Sequence, residues 1–163
     1  MKLSHGLVAL ALPAMLLVGG AQPAAAASYH TVTIKGTMTL HDYETIGSDE
    51  HRVVAIPSQY LNLSHSKTRD AFSFTACVGE EVSGYFVLPI SLGADELVTY
   101  QPELTLYEGT SCASRDRDGY FKGAARTLRP NYFRQNTWIR VSSAENSKDW
   151  VRVDYEVHHD VPS

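Results

Sequence analysis

The chain has 163 residues, of which 44% are hydrophobic and 20% charged, with a formal net charge of −4. That balance belongs to a foldable globular chain and excludes a disordered tail, a collagen-like fibre and a coiled coil. The acidic excess argues against a nucleic acid or an anionic membrane surface as partner of the whole molecule.

Residues 1–27 read as a cleavable export signal. Lys2 gives the basic start, Leu7 to Val18 the apolar stretch, and Ala25-Ala26-Ala27 the small-residue pattern ahead of a cut before Ser28. Pro13 interrupts the apolar run and Gly19-Gly20 ends it, short of the roughly 20 residues an anchor requires. Lys2 is the only formal charge in the leader, so the remaining chain is more acidic still. The expectation is a secreted protein with no membrane span, folding over 28–163 as a single domain.

From Thr31 to Leu40 the sequence alternates with period two, putting Val32, Ile34, Met38 and Leu40 on one face and threonines and Lys35 on the other, which predicts a half-buried strand. His51 to Ile56 and Gln59 to Ser64 are further candidates. Ala71 to Val78 follows with Phe72, Phe74, Ala76 and Val78 inward, then Val82 to Leu92 with Phe86, Leu88 and Ile90 inward. Leu97 to Tyr107, Thr137 to Ser142 and Trp150 to Val157 complete the set, the last two joined through Glu145-Asn146-Ser147-Lys148 as a hairpin. Pro57, Pro89 and Pro102 belong at strand ends, edges or bulges, because proline donates nothing to a ladder. No stretch of ten residues sustains a helical apolar stripe. About eight short strands and no helix predict an all-β antiparallel sandwich of Greek-key type.

Cys77 and Cys112 are the two cysteines, and outside a reducing cytoplasm one pairing is open to them. Cys77 falls on the face opposite Phe74, which sets the expected disulfide at the margin of the core or between a strand and a covering loop.

Two acidic clusters stand out. The connection from His41 to His51 carries Asp42, Glu44, Asp49 and Glu50, and the segment after the Leu104 strand carries Glu108, Asp116 and Asp118. Hard cations such as Ca²⁺ need several oxygens converging on one point, which strand-connecting loops supply if they meet at one end of a sandwich. Asp116-Arg117-Asp118-Gly119 does not complete an EF-hand loop, since Ala125 stands where the bidentate glutamate belongs. The plainer reading makes these residues solvated loop acids and turn caps.

Residues 115 to 134 run against the overall charge. Arg115, Arg117, Lys122, Arg126, Arg129 and Arg134 are interleaved with Tyr120, Phe121, Tyr132 and Phe133. Planar donors beside aromatic rings suit an anionic or carbohydrate-like ligand, with Arg115, Arg117, Tyr120, Lys122, Arg126 and Tyr132 as the binding candidates. The same pattern also serves to cover a sheet edge. Trp138 and Trp150 take the phase opposite their strands' valines and are read first as a second core layer or cross-strand pair, and otherwise as a platform for sugar rings. His158-His159 point to opposite faces of a strand, a poor chelate, and are read as solvent-exposed.

No nucleophile elbow, H-E-x-x-H helix, Walker loop or dinucleotide fingerprint occurs in the chain. The expected function is binding of an extracellular protein or polysaccharide, with Ca²⁺ as a candidate ion. The alternatives are a small secreted hydrolase and a protease inhibitor presenting Ala113 to Gly119.

The alanine-rich signal, Gly36-Thr37-Met38-Thr39-Leu40-His41-Asp42-Tyr43-Glu44 with Gly47-Ser48-Asp49-Glu50 behind it, and Leu106-Tyr107-Glu108-Gly109-Thr110-Ser111-Cys112 together resemble small secreted proteins of actinobacterial type. That resemblance implies secretion and a β-sandwich, and no activity to transfer. The acidic loops are also similar to those of C2-like sandwiches; without the full set of paired aspartates, that similarity implies architecture more than metal binding.

Overall fold

The computed structural model describes residues 29–161 apart from Thr45, Glu80, Ser114 and Asn146, with the backbone alone for 133–135. The expected leader and its cut before Ser28 lie outside the described residues, as do the side chains of Phe133 and Arg134.

Period-two hydrophobicity produces strands wherever it was read. They are β1 (His30–Asp42), β2 (Glu50–Leu63), β3 (Arg69–Val78), β4 (Val82–Leu92), β5 (Val98–Tyr100), β6 (Glu103–Glu108), β7 (Asp116–Lys122), β8 (Arg126–Leu128), β9 (Tyr132–Ser142) and β10 (Trp150–Asp160). The count is ten rather than eight among the described residues, and none of these residues is helical. His51 to Ile56 and Gln59 to Ser64 are one strand, because β2 absorbs Pro57 as a bulge: Ile34 pairs with Gln59 and Gly36 with Ile56, so Pro57 and Ser58 together face Lys35. Pro102 does the reverse and splits the Leu97 to Tyr107 run into β5 and β6. The polar, arginine-rich β7 and β8 carry no alternating stripe, and their backbone bonds to β6 and β5 create them.

Two antiparallel sheets result. One has the order β2-β1-β10-β9; in the other, β4 pairs with β3 on one edge and with β5 and β6 on the other, and these pair with β8 and β7. Apart from β1 beside β10, every ladder joins chain neighbours once each broken strand is counted whole, and the chain passes from one sheet to the other between β2 and β3 and between β8 and β9. The connections are therefore those of a meander, correcting the Greek-key expectation; the chain closes by laying its last strand along its first. Val32, Ile34, Met38, Leu40, Phe86, Leu88, Leu104, Leu106, Val151, Val153 and Val157 are fully or almost fully buried between the sheets. Phe74 and Ala76 are only half-buried, packed against this core near the β3 edge.

Cys77 and Cys112 are bonded, with Cα atoms 5.8 Å apart. The bridge ties the β6–β7 connection to β3, the placement expected from the outward phase of Cys77. Among the described residues no helix is long and apolar enough to cross a membrane.

The inward phase of β10 continues past Val157 to His159, which is fully buried and corrects its reading as solvent-exposed. Its Nε2 lies 2.9 Å from Nδ1 of His30, also fully buried. His158, on the outer face, pairs with Asp160 at 3.1 Å.

Candidate metal centre at one end of the sandwich

The strand phase that builds the core also carries a carboxylate into it. Asp42 follows Leu40 by two residues on β1, so its side chain points inward and is only 3% exposed. Its Oδ2 is buried without a hydrogen-bond partner. Beside it open the β1–β2, β3–β4, β6–β7 and β9–β10 connections, which together surround a cavity of about 510 Å³. Five carboxylates line it, namely Asp42, Glu44, Glu81, Glu108 and Asp149, with no lysine, arginine, histidine or cysteine among the described lining residues.

Oxygen atoms of Asp42, Glu44 and Glu81 lie mutually within 4.8 Å, and those of Glu108, Asp118 and Glu145 form a second such group. Asp149 stands between the two. It is buried, its Oδ1 accepts the Tyr43 N–H at 2.6 Å, and this bond fastens the first loop to the β9–β10 hairpin. Glu145 N–H donates to Ser143 Oγ at 3.1 Å, shaping the same hairpin, while Lys148 Nζ lies 3.6 Å from the Tyr43 ring centroid.

Packing like charges into a poorly solvated space raises their proton affinity. Burial, and then the charges of Asp149, Glu44, Glu81 and Glu50, push Asp42 up to about 6. Burial, then the charges of Asp118 and Asp149, push Glu108 up to about 7, against the opposing hydrogen bond from Ser143. Such a cluster holds protons at neutral pH or takes up a cation in their place.

Of the seven acids read from the sequence, the structure brings Asp42 and Glu44 to one group and Glu108 and Asp118 to the other. The remaining three are elsewhere. Asp49 closes its own loop, accepting the Glu44 N–H at 3.4 Å and facing His41 Nε2 at 3.7 Å. Glu50 starts β2 and is exposed, and Asp116 is exposed on β7 opposite Glu108 in register. Asp116 and Asp118 sit on a strand rather than in a long connection, and the bulge at Asp118, where Leu106 faces Gly119 and Tyr107 faces Arg117, breaks the alternation that would otherwise put both on one face, so that only Asp118 joins an acidic group. Glu81, Glu145 and Asp149 escaped sequence reading because they belong to short turns distant in the chain; the one signal was Asp149 placed immediately before the inward-alternating β10.

The basic candidates do not form one patch. Arg115 and Arg117 lie over the rings of Tyr107 and Tyr120 at 5.6 and 5.8 Å, and Lys122 pairs with Glu103 at 2.8 Å. They dress β7, an edge strand, which is the covering role. Arg126 on β8 hydrogen-bonds the buried Tyr100, and Tyr132 opens β9 in the other sheet. Asp116 to Gly119 pair with β6, so the segment proposed to protrude as an inhibitor loop is largely sheet.

The tryptophans neither pair nor enter the core. Trp150 faces Ser142 across the ladder and Trp138 faces Asp154, both on the outward phase. Trp150 is half-buried between the stacked His41 ring, centroids 5.5 Å apart, and Arg140 at 4.4 Å, whereas Trp138 is 59% exposed.

No protein-family model matches the chain, and no curated protein matches its sequence.

Proposed function

We propose that the protein is an exported, non-catalytic binding module whose acidic end takes up Ca²⁺. The observation that carries this reading is Asp42: a carboxylate nearly removed from solvent, one oxygen unpartnered, facing Glu44 and Glu81 across a cavity lined by no counter-charge. A buried charge is retained when something compensates it, and here the donor set is entirely oxygen. Soft metals prefer thiolate and imidazole, and Mg²⁺ demands a near-octahedral shell. Three carboxylates, from the end of β1, the β1–β2 connection and the β3–β4 connection, suit the larger, irregular shell of Ca²⁺.

Asp42, Glu44 and Glu81 would hold the ion, and Asp149 would keep Tyr43 and the first loop against the hairpin. The ion neutralises mutual repulsion and fixes the loops at that end relative to one another. Export is supported by the signal-like residues 1–27 and by the disulfide, which suits an oxidising compartment. Calorimetric titration of the metal-stripped protein with Ca²⁺ tests the reading. Saturable binding with a matching rise in melting temperature is expected; an unchanged melting curve across millimolar Ca²⁺ would overturn it.

A further inference from the structure

The outer face of the β2-β1-β10-β9 sheet is not flat. The bulge at Pro57 and Ser58 borders a depression of about 660 Å³ floored by the backbone of Gly36 and Tyr155 and walled by Trp138, Asn136 and the Lys35–Glu156 pair. A second depression of about 200 Å³ shares Lys35, Ser58 and Glu156 with it and extends to Tyr60, which is 67% exposed. The two form one trough running diagonally across the sheet, with an exposed aromatic ring at each end and polar groups between.

Trp138 is held for this position. Its Arg152 neighbour stands 5.0 Å from the ring centroid and is itself fixed by Asp154 through bonds of 2.8 and 2.6 Å. In the register, Arg152 lies on one side of the Asp154–Trp138 row, and the trough with Glu156 and Asn136 on the other. Arg152 does not line the trough, so it braces the indole from behind and leaves its other side to whatever enters.

We infer that this trough binds a chain of neutral pyranose sugars. An electron-rich indole face attracts the polarised C–H groups of a sugar ring, and hydroxyls both donate and accept hydrogen bonds. The trough offers acceptors on Asp154 and Glu156, donors on Lys35, and both on Ser58, Thr37 and Asn136. Its charges are already paired, Lys35 with Glu156 at 3.4 Å and Arg152 with Asp154, so it presents no field to draw in a polyanion. Two adjoining depressions with an aromatic ring in each fit several consecutive residues of a polymer. This names the ligand class of the binding-module reading, rests on that reading, and is independent of the cation site.

The test uses the full secreted chain, with Ca²⁺ and with chelator, titrated with cellohexaose, xylohexaose, chitohexaose and, as polyanion control, heparin hexasaccharide. Binding of at least one neutral hexasaccharide is expected, with a change in tryptophan fluorescence. Trp138→Ala should weaken it about tenfold and abolish the fluorescence change, leaving the melting temperature and its Ca²⁺ response intact. Tyr60→Ala should weaken binding of that hexasaccharide but not of the corresponding disaccharide, titrated alongside. Failure of every neutral sugar, binding indifferent to Trp138→Ala, or preference for heparin would each overturn the inference; loss of the Ca²⁺ response alone would overturn the cation reading and leave this one standing.

Discussion

Gly79 stands directly against the buried carboxylate of Asp42: a Cβ built on its backbone would collide with Asp42 Oδ2. Its φ of 62° lies in the left-handed region, so glycine is required there twice, by conformation and by space. Gly79→Ala is therefore expected to destabilise the protein by about 1 to 3 kcal/mol and to weaken Ca²⁺ binding by displacing Asp42. Denaturant unfolding and calcium titration of this variant check both effects, and unchanged calcium affinity would detach Gly79 from the site.

Asp42→Asn keeps the shape of the side chain and deletes its charge. In the metal-free protein the substitution should be neutral or stabilising, because it removes repulsion, while the thermal shift on adding Ca²⁺ should largely disappear. For the unsubstituted chain, calcium at a hundredfold excess over Kd adds about 2.7 kcal/mol, roughly 10 °C for a domain of this size. A full shift in Asp42→Asn would place the ion elsewhere.

The raised acids give the metal-free protein an unusual pH profile. Asp42, raised from 3.8 to about 6, and Glu108, raised from 4.5 to about 7, bind more protons folded than unfolded across that interval. Their contribution is fully present below the unfolded values and is lost as pH rises through the folded ones, by about 1 to 2 kcal/mol each once solvent screening is allowed for. Urea midpoints in chelator should be higher at pH 5 than at pH 7.5, and calcium should narrow the difference. A profile unaffected by Asp42→Asn with Glu108→Gln would contradict this.

Buried His159 acts in the opposite sense. Burial, and then the neighbouring His30, lower the affinity of His159 for a proton below its ordinary 6.5. The unfolded chain then binds the proton more readily, so the stability contributed by the neutral ring is present above about pH 6.5 and is lost as pH falls through that value. In the Asp42→Asn, Glu108→Gln background, where the acid contribution is removed, stability should decline on acidification below pH 6.5. Proton-detected NMR of the imidazoles checks the assignment, and a His159 ring titrating at or above 6.5 would refute it.

The Cys77–Cys112 bridge spans a sequence separation of 35. Replacing both cysteines by serine should cost about 3 to 4 kcal/mol through the freed unfolded chain. Because the bridge holds the connection bearing Gly109 and Thr110 at the acidic cavity, calcium affinity should fall as well. Denaturation with and without calcium separates these two effects; a loss of stability with calcium affinity intact would show that the loop is irrelevant to the ion.

Alternation is local, so the sequence by itself determined the strands that carry it, the inward set of β1, β4 and β10, and the pairing of the sole two cysteines. The same alternation, continued one step past Leu40 and past Val157, buries Asp42 and His159, against the loop and solvent-exposed readings of these two residues. What only the tertiary structure decided is which turns share an end of the sandwich. Glu81, Glu108 and Asp149 are far apart in the chain and meet because the meander closes β10 onto β1, and β7 and β8 exist only through the ladders beside them. Convergence of charge and the depth of the trough are properties of packing and register, which period two constrains but does not choose among.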